Sequence, residues 1–325
     1  MCQKTFADYV CFQNSGAEAT EAAIKFARRY FYSRGQVNKN RILCIKNSFH
    51  GRTMGAMSAT SSTLSHDAFG PILDGLIRVE FNKIEAIKNI LSNHDDVSAI
   101  LLEPIQGEGG IVPCDKAYLQ EVRDICNKQN ILLMIDEVQS GFCRTGRWFG
   151  YQHSGISPDV VMVAKALGNG VPIGACLARG NAAHVLTAGM HGSTFGGNFL
   201  STSVGLKVLD IMRDKQLCQH VTTTSKAMQD YMETRLKKLE AVHEIRVSDV
   251  LEAVDESLNA LHTGAGAKGA VSGSKAQSLS NRLWEGLSAH VYVFLHQTRL
   301  SDVIENELAP CPAVPDLISI VEPAD

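Results

Sequence analysis

The sequence predicts an α/β fold: a mostly parallel sheet flanked by helices, with an incomplete or atypical small domain at the C-terminal end. Three observations predict it. Strand-like and helix-like segments alternate through the first two thirds of the chain. Several strand-like segments are continuous apolar runs that stop at one polar residue, the pattern of buried strands. The chain has 325 residues, 45% hydrophobic and 20% charged, enough for a large core in an ordinary globular composition.

The elements follow in order. Phe12 ends a short strand, and Ser15-Gly16-Ala17 open the helix after it. Within TEAAIKFARRYF, the residues Ala22, Ala23, Phe26, Ala27 and Tyr30 recur at helical spacing. RILCIK reads as a short strand, SFHGRT as a strand-to-loop segment and KIEAIKNILS as a helix. VSAILLEP is a buried strand closed by Pro104. The helix AYLQEVRDICNKQ, the strand ILLMIDE and the strand DVVMVAKAL complete the alternation. Residues 1–245 read as one large domain and 246–325 as a divergent region. In that region Val247–Leu261 has amphipathic helical spacing, 263–278 is a Gly/Ala/Ser-rich linker, Trp284–Leu300 is apolar enough to fold, and the end is Pro-rich.

Composition excludes several classes. A net charge of −3 gives no global basic field for nucleic acid, and Arg28, Arg29, Arg34, Lys39 and Arg41 read as a solvated helix end and loop. No run of 18 apolar residues appears, so no membrane partner is expected. Nine cysteines lie at no metal-like spacing, without CxxC or HExxH, which points to no metal and a reduced setting. The start, MCQKTFADYVCFQ, has no signal-peptide pattern. The expected location is intracellular and soluble, either cytoplasm or mitochondrial matrix. No GxxxxGK[ST] occurs, and the GxGxxxG of KALGNGVPIG contains Pro172 and lacks a clean βαβ unit, which disfavours nucleotide-binding readings.

Glu103, Asp136 and Lys165 each fall where a strand ends, and in parallel sheets ligands sit at the carboxyl ends of strands. Lys165 follows an apolar run: it either snorkels to solvent or stays neutral and desolvated to form a Schiff base. Asp136 follows five apolar residues, and a carboxylate at that depth needs a cation, a helix to cap or a protonated pyridine nitrogen. Ser15, Gly16 and Ala17 open a helix, where free N–H groups and the dipole bind phosphate, or they form a plain N-cap. Phe49 could stack on a flat cofactor or belong to the core; His50 is a second cofactor-side candidate or a hydrogen-bonded loop residue. Arg52 could clamp a carboxylate. Glu103 and Glu108 could pair with arginines, do acid–base work or be solvated acids. Ser193 and Thr194, in the Gly-rich HGSTFGGN, suit a phosphate. Phosphate cradle, stacking ring, pyridinium partner and Schiff-base lysine together make up what pyridoxal 5′-phosphate (PLP) requires.

The motifs NSGAEA, SFHGRT, EPIQGEGG, IDEVQSGFCRTG, AKALGNGVPIG and HGSTFGGN occur in this order, and over about three quarters of its length the chain resembles class III, fold-type I PLP-dependent aminotransferases, nearest the acetylornithine/ornithine group. The resemblance implies roles. Lys165 matches the lysine that binds the cofactor and shuttles the proton, and Asp136 the pyridinium partner. Gln139 matches the residue near the ring's phenolic oxygen, Phe49 the stacking aromatic, and Ser15, Gly16 and Ala17 the phosphate cradle. Ser193 and Thr194 match a loop reaching the neighbouring subunit's phosphate, which implies a homodimer. Arg52 matches a substrate α-carboxylate clamp, and Glu108 the acid that neutralises an arginine when the amino donor is bound. The implied reaction moves an amino group from N-acetylornithine, or a related ω-amine, to 2-oxoglutarate, giving the semialdehyde and glutamate in arginine biosynthesis. Ornithine, succinyl-diaminopimelate and 4-aminobutyrate are alternative donors. The family carries a further segment ahead of NSGAEA and a small domain that nothing after Arg246 matches, so a truncated form limited to PLP binding and dimerisation is the alternative function.

Overall fold

A computed structural model describes residues 1–2, 5–61 and 69–236 of the chain. The expectations for 246–325, including the linker 263–278, lie outside the described residues.

Seven strands form the main sheet: β1 (Tyr9–Gln13), β2 (Arg41–Ile45), β3 (Leu76–Val79), β4 (Val97–Leu102), β7 (Leu132–Asp136), β8 (Val160–Val163) and β9 (Gly174–Ala178). The hairpin strands β5 (Ile105–Gln106) and β6 (Val112–Pro113) stand apart from it. The sheet order is β1-β9-β8-β7-β4-β2-β3. All pairings from β3 to β8 are parallel, and β9 runs antiparallel to both β8 and β1. The mostly parallel α/β expectation holds. Strands β3 and β9 and the β5–β6 hairpin did not stand out in the sequence, and DVVMVAKAL ends as a strand at Val163 rather than running through Lys165.

Period-two alternation divides the sheet's side chains between two cores. Ile42, Cys44, Leu101, Met134, Met162 and Cys176 face α1 (Gly16–Tyr32), whose Ala19, Ala22, Ala23 and Ala27 are fully buried. Small residues on that helix face let its backbone lie close to the sheet. Leu43, Ile45, Ile100, Leu102, Leu133 and Val161 face the other way, onto Leu119, Val122 and Cys126 of a helix at Lys116–Gln129. The remaining helices are α2 (Met54–Ala59), α3 (Ile84–Asn93), that Lys116–Gln129 helix as α4, α5 (Phe199–Asp214) and α6 (Leu217–Leu236). No helix among the described residues is long and apolar enough to cross a membrane.

One contact ties the sheet to the start of α1. Ser15 caps this helix: its Oγ accepts the N–H of Glu18 at 3.2 Å. A Cβ on Gly174, the first residue of β9, would stand 2.2 Å from the carbonyl oxygen of Ser15. The two backbones can meet only because residue 174 lacks a side chain. Gly174→Ala is therefore expected to force Ser15 away from β9 and to lower the unfolding free energy by about 1–3 kcal/mol, the range for overpacking. A urea titration with an unchanged midpoint would show that the contact is not a constraint.

Candidate active site

The carboxyl ends of β1, β2, β4, β7 and β8 open on one cavity of about 390 Å³, lined among others by Ser15, Gly16, Phe49, Asp136, Gln139 and Lys165. Ser15 and Gly16, Phe49, Asp136 and Gln139, and Lys165 come from four segments that follow different strands, so the sheet fixes their spacing.

Asp136 is the last residue of β7 and is 5% exposed. Its Oδ1 accepts the N–H of Val138 at 3.0 Å, and its Oδ2 lies 2.8 Å from Nδ1 of His50. A carboxylate only accepts, so that ring nitrogen donates. His50 is in turn anchored by its backbone: its N–H donates to Thr60 at 2.9 Å and its carbonyl accepts from Thr20 at 3.0 Å. Burial pulls the His50 imidazole toward its neutral form, but the Asp136 bond and the charges of Asp136 and Glu103 outweigh it and raise its pKa. Its Nε2 is buried without a partner. His50 thus stands beside Asp136 and braces it, a role that sequence spacing did not suggest.

The two readings of Lys165 divide on exposure. Its side chain is exposed in the cleft, not desolvated. The cause is the backbone. Strand β8 stops at Val163, and Lys165 takes φ +37°, a left-handed conformation that a β-branched or bulky residue rarely adopts. This turn lifts the side chain off the sheet toward Gln139, whose Oε1 accepts from Nζ at 2.5 Å. Strain of that kind clusters at functional sites.

The other candidates divide. The first N–H groups of a helix have no partner within it, so those of Gly16 and Ala17 are offered to the cavity both residues line. Phe49 is half-buried and lines the same cavity, and its N–H donates to Oε2 of Glu103 at 3.0 Å. Glu103 is 6% exposed, and burial pushes its carboxyl up to about 7. It acts on the loop that carries Phe49 as well as facing the cavity. Glu108 is exposed and lines the cavity. Arg52 is exposed and does not line it; its guanidinium lies 5.9 Å from the centre of the Phe49 ring. Ser193 and Thr194 are also outside this chain's cavity: Ser193 Oγ accepts from Asn14 at 2.7 Å, and Thr194 is exposed. No group of three or more metal-ligating side chains occurs among the described residues.

The residues fit a phosphorylated pyridine. A helix start with free N–H groups, an aromatic face, a braced carboxylate with lone pairs to spare and an amine meet in one cavity. The family model for class-III aminotransferases matches residues 1–274.

The chain belongs to the class-III aminotransferases.

The match extends past both ends of the Asn14–Asn198 stretch that carries the motifs. The acetylornithine aminotransferase of Nitrosomonas europaea is 44% identical over 244 residues, which cover 75% of this chain and 62% of that protein. Among solved structures, the ornithine aminotransferase of Toxoplasma gondii superposes with a TM-score of 0.72 at 33% identity, covering 76% of this chain and 59% of that one. An amine transaminase from an uncultivated Pseudomonas species, solved in a PLP-bound form, gives 0.68 at 26% identity, covering 75% and 61%. The chain thus spans less than two thirds of the length of these relatives.

Sequence reading missed Glu137. It is fully buried, accepting from Ser140 at 2.6 Å, Tyr151 at 2.8 Å and Gly150 at 3.0 Å, and so pins residues 150–151 beneath the site. Its backbone partners lie 13 and 14 positions away in the sequence and leave no local signal. Burial raises its carboxyl to about 7 despite these bonds. An unfolded glutamate titrates near 4.3. The folded state therefore binds this proton more tightly, and the associated stability is complete below the unfolded value and lost as pH rises through about 7. We expect the urea midpoint to fall between about pH 5 and about pH 8, and to fall less steeply in Glu137→Gln. Parallel pH profiles for the two proteins would contradict this.

Proposed function

We propose that this chain carries a PLP-dependent transamination in which N-acetylornithine, or a related ω-amine, gives its amino group to 2-oxoglutarate, forming the semialdehyde and glutamate, as a step of arginine biosynthesis. The observation that carries the reading is the meeting of Lys165, Gln139, Asp136 and the start of α1 in one cavity. The acetylornithine aminotransferase relative supports the choice of donor.

When bound, PLP supplies an aldehyde carbon that takes up the amino group and a pyridine ring that accepts electron density. The chain's residues do the rest. Gly16 and Ala17 N–H groups hold the phosphate, aided by the dipole of α1. Phe49, which lines the same cavity, would offer its aromatic face to the ring. Asp136, its charge fixed by His50, would hold a proton on the ring nitrogen. Lys165 Nζ would take a proton from the donor's amine-bearing carbon and in the second half of the reaction return one to the acceptor's carbon. Gln139 Oε1, which accepts from Nζ, would keep that amine within the cavity. Arg52 and Glu108 belong to substrate recognition in this reading, with Arg52 swinging from its place over Phe49 to meet a carboxylate.

A homodimer is included in the proposal. Ser193 and Thr194 lie outside their own cavity, in keeping with a loop that serves the phosphate of a second copy.

The test uses the full purified chain with PLP, acetylornithine and 2-oxoglutarate, with glutamate as the readout. Turnover is expected in the parent and absent in Lys165→Ala, with far-ultraviolet dichroism and melting temperature close to the parent's. Equal turnover in the variant would overturn the role of Lys165. A yellow parent that forms no glutamate would overturn the transamination.

A further inference from the structure

Outside the cleft, two thiols are held almost at bonding distance. The Sγ atoms of Cys143 and Cys218 lie 2.7 Å apart although 75 positions separate them in the chain. A disulfide measures about 2.0 Å. Cys143 belongs to the loop that follows Asp136 and Gln139 and sits at φ +65°, and Cys218 is the second residue of α6. Packing of helix on loop sets their approach. Thr222 Oγ1, one turn along α6, donates to the carbonyl of Cys218 at 2.9 Å and lies 3.4 Å from that of Gly146, and a Cβ on Gly146 would stand 2.4 Å from it.

The two thiols differ in access. Cys143 is 3% exposed, whereas Cys218 is half-buried and lines an open cavity of about 750 Å³ with Arg147, Trp148 and Gln152. That cavity shares no lining residue with the active-site cavity. By contrast Cys11 and Cys176, which face each other across β1 and β9, pair a half-buried thiol with a fully buried one inside the sheet, and neither lines this cavity.

We propose that Cys218 and Cys143 are a reversible dithiol–disulfide pair, oxidised by a low-molecular-weight disulfide that enters the cavity beside Cys218. The Cys218 thiolate attacks one sulfur of the small disulfide; that S–S bond breaks, and the departing thiolate takes up a proton. The Cys143 sulfur then loses its proton to solvent and attacks Cys218 in the mixed disulfide, forming the internal bond and releasing the second small thiol. Two protein thiols are oxidised and one small disulfide is reduced to two thiols. Burial, and next the bond to Cys218, raise the Cys143 thiol to about 12, which suits the resolving rather than the attacking role. The product ties the segment after Asp136 and Gln139 to α6.

The experiment treats the reduced full chain with bis(2-hydroxyethyl) disulfide, alkylates the remaining thiols and maps tryptic peptides by mass spectrometry. The expected product joins the Cys143 and Cys218 peptides and reverts with dithiothreitol. Cys143→Ser should accumulate a hydroxyethylthio adduct on Cys218, and Cys218→Ser should leave Cys143 free to alkylate after denaturation. Separate alkylation of Cys143 and Cys218 in the treated parent would overturn the pair. So would a Cys11–Cys176 link in its place, and an adduct on Cys143 in Cys218→Ser would overturn the order of attack.

Discussion

A carboxylate at the end of a buried strand sets the terms for this structure. Asp136 is almost without solvent, and an isolated charge there would cost several kcal/mol. Two local donors, the Nδ1–H of His50 and the N–H of Val138, keep it in place. Satisfying His50 recruits Thr20 from α1 and Thr60 from the C-cap of α2. One buried charge is thus linked through His50 to two helices, and Asp136 and His50 both line the cavity.

The second constraint is backbone crowding. Gly174 lets β9 touch Ser15 and so sets the start of α1 against the sheet. Gly16 is confined less tightly and by a side chain, since a Cβ there would stand 2.9 Å from a methyl of Val138. The left-handed turn at Lys165 then brings the amine back over the sheet edge to Gln139. The helix start is therefore held by a close approach of backbones, and the carboxylate and the amine by the side chains of His50 and Gln139. Glu137 imposes the same kind of restraint beneath them by fixing residues 150–151.

Much of this was legible in the sequence because burial leaves a local mark. The apolar runs before Glu103, Asp136 and Lys165 gave β4, β7 and β8 and put the three polar residues at strand ends. The capping serine gave the start of α1. What could not be read were relations through space. Nothing local says that β9 returns antiparallel between β8 and β1, that His50 lies behind Asp136, or that Glu137 serves residues 150 and 151. The apolar flank of Lys165 left its exposure open because it reports on the strand and not on the left-handed turn that follows it.

The central claim is that the fixed charge of Asp136 makes this cavity a site for a protonated pyridine. Its most direct test is the affinity of the full chain for PLP, followed by visible absorbance, in the parent and in Asp136→Asn. The amide keeps the size of the side chain and removes its charge. The account predicts saturable binding in the parent and an affinity at least about tenfold weaker in the variant, which is about 1.4 kcal/mol. Equal affinities in the two proteins would contradict it.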